Sequence, residues 1–513
     1  MDILYRNGGN DRSWKLPEET AKDIALQEII GYMSSNHEEQ EILSDVMSKI
    51  PQDPSDMIYR QEILKDLMSN EELMTAVRNS IDPIKVLQYY GGTKRLRDGD
   101  GTLVSLLEQL RELKVYVDVV ESLYESLSRI DIRSEGLIAL RDALKTIVED
   151  DEFKSVKPDI EKMHDDLSNV RSAIVGVNFT PDLDIDNVTA IEFTDTPIRS
   201  NYTIADISIT TKFSSPFKKT NYVDPLLVAM TPFMKKHLKH HFGDLKRLIT
   251  KHSRYDTSLL TNLYNGFVFY LCAADLGRKL KSKELGIAFP EITADRPMDI
   301  KGLYNIRLSS IGKDAIVKND FAFTEKEKMF ILTGPNRGGK TILEQALGLI
   351  SVMASLGMFV TADACSGMPF RKIFTHFPID ENLTINYGRL GEEAVRIKEI
   401  VSMTDSDTLI LFNETFSTTS AKDGLYLSMD LLRILKEKGA AVIFNTHIHE
   451  LADELTEMNG WEGKSDVVSI VMEIVNNKNT FKIKRSAPDT SSYARNIAEK
   501  YGITYEQMKE LGS

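Results

Sequence analysis

Cysteine is almost absent: Cys272 and Cys365 are the only two in 513 residues. That excludes a disulfide framework and a cysteine-built zinc site, and it suits a reducing cytoplasm. No apolar run is long enough to span a bilayer, and the opening MDILYRNGGNDRSWKLPEE lacks the apolar stretch of a signal peptide. No membrane association is therefore expected. Positive charge is in deficit, with 63 Lys and Arg against 77 Asp and Glu, a net charge of −14. A uniformly basic nucleic-acid coat is excluded, although a local basic stripe is not. Internal repeats and low-complexity tracts are missing too. What is present is 42% hydrophobic and 27% charged, a globular composition long enough for two or three domains.

The first half reads as amphipathic helices. Ile24, Ile29 and Ile30 are followed by Ile42, Leu43, Val46, Met47 and Ile50, then by Ile63, Leu64, Leu67 and Met68, with short breaks such as PQDPSD. A longer stripe runs through Leu103, Leu106, Leu107, Leu110, Leu113, Val117, Val120, Leu123 and Leu127, and its simplest use is core packing.

Between about 173 and 215 the period changes, and SAIVGVNF, NVTAIEF and ADISITTKF read as short strands. Asp182, Asp184 and Asp186 alternate in DLDID, but the glycine and closing glutamate of an EF-hand loop are missing, which favours a solvated acidic loop. Then comes a basic helix carrying Lys235, Lys236, Lys239, Lys246, Arg247 and Lys251, with His237, His240, His241 and His252. Its charge suits either phosphates or solvent, and no acidic or cysteine ligand is spaced with the histidines to favour metal. From about 300 onward short apolar strands alternate with helices, the pattern of a parallel βαβ sheet.

Residues 333–341 read TGPNRGGKT, after the apolar strand KMFIL and before the helix TILEQALGLISVMASLG. The loop fits G-x-x-x-x-G-K-[ST], in which glycines let backbone N–H groups face a phosphate. Gly334, Pro335, Asn336, Arg337, Gly338, Gly339, Lys340 and Thr341 are thus the candidate ATP-binding segment. Lys340 suits the β- and γ-phosphates and Thr341 suits Mg²⁺, while the helix N-terminus adds its positive end. A second strand, DTLILFNE, ends in Asn413 and Glu414. Glu414 is the candidate to orient the attacking water. Asn413 stands where an aspartate normally helps hold Mg²⁺, so its amide oxygen is a second, uncharged metal-side candidate with weaker binding and slower turnover. A third strand, AAVIFNTHIHE, leads to His447, a candidate catalytic residue at the edge where such sheets bind ligands.

This order of pieces resembles the ATPase domain of the MutS family, the DNA mismatch-repair and recombination ATPases of the ABC superfamily. LTGPNRGGKT is similar to that family's TGPNxGGKS/T loop, LILFNETFSTTS to its acidic strand end and turn, and FNTHIHEL to its A-T-H-x-x-E-L. IVKND, with Asn319 and Asp320, resembles its N-D step before the loop, and SSYARNIAEKYGI its S-Y-G helix. MIYRQEILKDL and SLLTNLYNGFVFYLCAADL extend the likeness into the helical half.

The resemblance implies an α/β P-loop ABC-type ATPase domain joined to a mainly α-helical core and lever region with a small strand-containing, clamp-like insert. The segments expected from it are a helical core over 1–130, a lever and clamp-like region over 131–255, a returning lever helix and connector over 256–298, and the ATPase domain over 299–513. It implies a homodimeric ATP-driven clamp on double-stranded or branched DNA, in which a signature loop completes the partner's nucleotide site. The alternative is a catalytically weakened ATP switch or scaffold that binds protein partners. The sequence departs from the family's pattern at three places. Asn413 replaces the aspartate. The signature loop reads GRLGEE, in which Gly388, Arg389, Gly391 and Glu393 are the residues offered in trans and the family's serine is missing. The chain begins at the core domain, so a member without the N-terminal mismatch-recognition domain is expected.

Overall fold

The computed structural model describes residues 2–6, 13–91, 103–168, 172–196, 239–252, 255–293, 297–312, 316–335, 337–378, 389–475, 478–487 and 507–509. Two compact units divide it. One comprises residues 69–267 and the other joins residues 2–68 to residues 268–513. The entry segment 2–68 carries two short antiparallel strands, β1 (Ser13–Lys15) and β2 (Lys49–Pro51), among helices Glu18–Asp23, Leu26–Met33, His37–Met47 and Pro54–Ser69. Its apolar positions Ile24, Ile29, Ile30, Leu43, Met47, Ile63 and Leu64 are buried as their spacing predicts.

The unit 69–267 is helical, with helices Glu71–Gly91, Leu103–Arg129, Glu135–Glu149, Asp151–Ser168 and Lys239–Lys251. Along Leu103–Arg129 the row Leu106, Leu110, Leu113, Val117, Val120, Leu123 and Leu127 is buried, one face of a 3.6-residue period. A hairpin of β3 (Ser172–Phe179) and β4 (Ile185–Thr194) confirms the change of period read from SAIVGVNF and NVTAIEF. The stretch ADISITTKF and the basic helix up to residue 238 lie outside the described residues. Lys251 and His252 meet Asp159 at 2.7 and 2.8 Å, so part of the basic charge is answered inside this unit.

Residues 268–513 build two further sheets. β5 (Asp299–Leu303), β6 (Asn319–Ala322) and β8 (Ala364–Ser366) form a small antiparallel sheet. The main sheet contains β7 (Glu327–Thr333), β9 (Lys372–His376), β10 (Thr408–Asn413), β11 (Ala441–Asn445), β12 (Asp466–Val475) and β13 (Lys478–Arg485), in the order β13-β12-β7-β11-β10-β9. All pairs are parallel except β12 with β13. Every residue of β10 and β11 is buried, which explains why they read as unbroken apolar runs. Helices Lys340–Ser355, Arg389–Met403 and Ala421–Lys438 alternate with the strands. The Lys340 helix is buried along nearly its whole length, and a side chain at Gly348 would meet Ile24 Cγ2 at 2.6 Å, so the entry segment packs directly on it. Among the described residues no helix is long and apolar enough to cross a membrane.

Candidate functional site

β7, β10 and β11 end at one edge of the sheet, the edge where open parallel sheets bind ligands. Directly after β7 the chain turns through left-handed backbone, with φ of +137° at Gly334, +64° at Arg337 and +98° at Gly339. Glycine is required twice over at 334, because a Cβ there would lie 3.0 Å from that of Met472. Gly338 donates its N–H to the Pro335 carbonyl at 3.0 Å, closing the loop. Lys340 opens the following helix, and its Nζ donates to the carbonyls of Gly334 at 2.8 Å and Pro335 at 3.4 Å. Burial lowers the Lys340 pKa, and the nearby carboxylates of Glu414 and Glu344 oppose that shift. Asn336 lies outside the described residues.

At the end of β10 the register pairs Asn413 with Asn445 of β11. Glu414, one residue on, adopts φ +54° and donates its N–H to the Asn445 carbonyl at 2.9 Å. That conformation is costly for a non-glycine residue, and it turns the carboxylate out of the strand. Glu414 Oε1 then meets His447 Nε2 at 2.7 Å, with both side chains about a third exposed. The two catalytic candidates from the sequence are thus brought together beside the loop.

Asn413 is held by two side chains. Its Oδ1 accepts from Asn445 Nδ2 at 2.8 Å, and its Nδ2 donates to Thr341 Oγ1 at 3.3 Å. In this orientation the nitrogen of Asn413, rather than its oxygen, is turned to Thr341. Asn445, invisible to motif reading, holds that oxygen away. Asn445 Nδ2 also donates to Glu344 Oε2 at 3.0 Å. Glu344 is fully buried, and burial pushes its pKa well above the usual carboxylate value. A lone glutamate inside the apolar helix ILEQALGLISV was the one sequence signal for this network.

A cleft of about 420 Å³ opens against the loop. Beside Lys340, Thr341 and Glu414 it is lined by Tyr304, Leu308, Val317, Met472 and Phe481, apolar and aromatic side chains next to the glycine-rich loop. Sequence reading missed these side chains, which come from distant elements. The N-D step explains part of their placement. Asn319 donates to the Phe481 carbonyl at 3.0 Å and accepts from Ile483 N–H at 2.9 Å, while Asp320 accepts from Gly302 N–H at 2.8 Å.

Arg389, Gly391 and Glu393 are not among the residues that line this cleft. Gly388 lies outside the described residues, Arg389 opens the helix Arg389–Met403, and Gly391 and Glu393 sit half-buried in its first turns. Farther along, Arg396 donates to Asp23 at 3.1 Å and to the Thr375 carbonyl at 2.9 Å, fixing this helix to β9 and the entry segment.

The family model described as MutS domain V matches residues 330–511, and that described as MutS2 N-terminal domain matches residues 52–183. The chain is 25% identical over 462 residues to endonuclease MutS2 of Streptococcus suis, covering 87% of this chain and 54% of that protein. It is 26% identical over 294 residues to endonuclease MutS2 of Staphylococcus aureus, covering 56% of this chain and 36% of that protein. Over 237 residues it is 31% identical to DNA mismatch repair protein MutS of Bacillus cereus, covering 45% of this chain and 25% of that protein. The chain spans about half the length of the first of these relatives, and less of the others. The P-loop region and part of the helical half are thus each similar, independently, to a domain of MutS-type proteins.

Proposed function

We propose that this chain binds ATP, hydrolyses it slowly, and uses the nucleotide state to open and close around duplex or branched DNA without reading mismatches. The observation that carries this reading is the Glu414–His447 pair beside Lys340 at the mouth of the cleft. The loop N–H groups, the Lys340 ammonium and the helix N-terminus are suited to the phosphates, and the apolar cleft to the base. Glu414 accepts a hydrogen bond from the attacking water and takes its proton, and His447 holds the carboxylate in place. Mg²⁺, when bound, neutralises phosphate charge and orients the transferring group. Thr341 suits that ion, whereas Asn413 as oriented turns nitrogen rather than oxygen toward Thr341.

In this reading the segments 1–130, 131–255, 256–298 and 299–513 act as core, lever and clamp, returning lever and ATPase. Two chains associate, and the signature helix from Arg389 completes the partner's site. Salt-dependent binding to duplex and branched DNA tests the clamp. Log K is expected to fall against log salt by about 0.9 per phosphate contact, more steeply with ATP than without. Absence of DNA binding in the presence of ATP would sink it. One observation favours a second reading, a weakly hydrolysing ATP switch that binds proteins: the Asn413 amide presented to Thr341. That reading expects ATP-dependent dimer closure with no DNA retained.

A further inference from the structure

Four polar side chains form one line beneath the nucleotide loop. Glu344 Oε2 accepts from Asn445 Nδ2 at 3.0 Å, Asn413 Oδ1 accepts from the same nitrogen at 2.8 Å, and Asn413 Nδ2 donates to Thr341 Oγ1 at 3.3 Å. Glu344 and Asn445 are fully buried and Asn413 nearly so. An amide nitrogen has two hydrogens, and here Asn445 commits one to each acceptor. Asn413 therefore has its oxygen occupied and only its nitrogen left for Thr341. Glu344 Oε2 accepts in the ionised group, and in the protonated group when the unpartnered Oε1 carries the proton, so the direction of the line originates there. Among the described residues, Glu344 Oε1 and Asn445 Oδ1 are buried without a partner, so the line is not locked by bonds on both sides of each group. If Asn445 turned over, its free oxygen would accept from Asn413, and the Asn413 oxygen would face Thr341.

We propose that Glu344 is a positioning residue that orients Asn445 and Asn413 and thereby gives this site a low demand for Mg²⁺ in nucleotide binding. The proposal rests on the ATP-binding reading above. The end of β10 carries an amide at 413, and the carboxylic side chain stands on the loop's own helix, where it acts through two amides. With Glu344 in place an N–H group occupies Thr341 Oγ1, and a divalent cation competes with it for the same oxygen.

The test is the affinity of the full chain for a non-hydrolysable ATP analogue, measured by calorimetry with Mg²⁺ and with EDTA. The parent is expected to bind with affinities that differ by no more than about threefold. Glu344→Met keeps the volume, removes the acceptor and frees Asn445 to turn, so Mg²⁺ should then strengthen binding by about tenfold, the scale of one hydrogen bond gained. Asn413→Asp presents an oxygen to Thr341 whatever Glu344 does. It should show the Mg²⁺ effect by itself, and adding Glu344→Met should not increase it further. A purely packing role for Glu344 would weaken binding equally with and without Mg²⁺ in both backgrounds. An unchanged Mg²⁺ ratio in Glu344→Met, or an equal increase in the Asn413→Asp background, overturns the proposal. If Glu344→Met does not fold, the parent compared with Asn413→Asp decides: a parent ratio as large as that of Asn413→Asp overturns it. A parent chain that binds no ATP analogue at all defeats the ATP-binding reading instead.

Discussion

The edge of the main sheet and the helical unit 69–267 use polar side chains in opposite ways. At the sheet edge Glu344, Asn445 and Asn413 are buried and interlocked, and which atom faces which decides the chemistry. In the helical unit the interior is mainly apolar, and apart from the buried His252 the charges pair near the surface, as Lys157 does with Glu121 at 2.7 Å and Lys251 with Asp159 at 2.7 Å. The first arrangement makes function depend on single atoms, because an unmatched buried polar group costs more than a matched one gains. The second makes stability depend on buried area and leaves the charges individually replaceable. Substitutions at the two places should therefore differ in both size and kind.

The largest effect is expected at Lys340. Lys340→Ala removes the ammonium from the loop, and loss of two charge-assisted contacts to phosphate costs about 3 kcal/mol or more, a hundredfold and upward in ATP affinity. Calorimetric binding that equals the parent would show that the loop does not hold phosphate. Next is Glu414→Gln. The amide cannot take a proton from water, so hydrolysis should fall by about a hundredfold or more while ATP affinity is kept. Single-turnover hydrolysis at the parental rate would remove Glu414 from the mechanism.

The placement of both residues beside one loop was legible in the sequence because each follows an apolar strand in a recognisable order of strand, turn and helix. The parallel sheet was legible for a related reason: strands buried on both faces leave continuous apolar runs. What joins residues far apart was not legible. Glu344 and Asn445 are 101 positions apart, and only the register of β7, β10 and β11 brings them together. Tyr304 and Phe481 reach the cleft from a small sheet and an edge hairpin that no motif marks. Amphipathic spacing told which faces of the first helices are buried but not against what. Residues 2–68 fold with residues 268–513, through contacts such as Ile24 beside Gly348.

A smaller effect tests the buried polar character of the sheet edge by pH. His376, at the end of β9, bonds Thr415 at 2.9 Å through Nδ1, and burial, aided by the charge of Arg396, lowers its pKa from 6.5 to about 4. The neutral form is favoured in the folded state, so the unfolded chain takes up a proton first as pH falls. Stability is unaffected above about pH 6.5, is lost between there and about pH 4, and levels off below. The loss is about 3 kcal/mol at most. Both tryptophans, Trp14 and Trp461, belong to the unit made of residues 2–68 and 268–513, so their fluorescence reports denaturation of that unit. His376→Gln should flatten the dependence between pH 6.5 and pH 4. An equally steep loss in that variant would assign the effect to other groups.

The smallest effect belongs to the helical unit and sharpens the contrast most. Lys157 reaches Glu121 across two helices at 2.7 Å, yet its side chain is 51% exposed and that of Glu121 28%. The hydrogen bond and charge of Glu121 raise the Lys157 pKa, so the attraction is present throughout the neutral range and is lost only as pH rises past the ordinary lysine value of 10.5. Water and salt screen most of it. Lys157→Ala should change stability by less than about 1 kcal/mol. What difference exists should shrink further between low salt and 1 M salt, where the screening length falls to about 3 Å. Circular dichroism at 222 nm during denaturation is the suitable measurement, since this unit is helical and contains neither tryptophan. Lys157 lies far along the chain from the nucleotide loop, so ATP affinity should not move. A loss above about 2 kcal/mol that persists in high salt would mean that the pair acts like the buried line at the sheet edge, and the distinction between the two regions would fail.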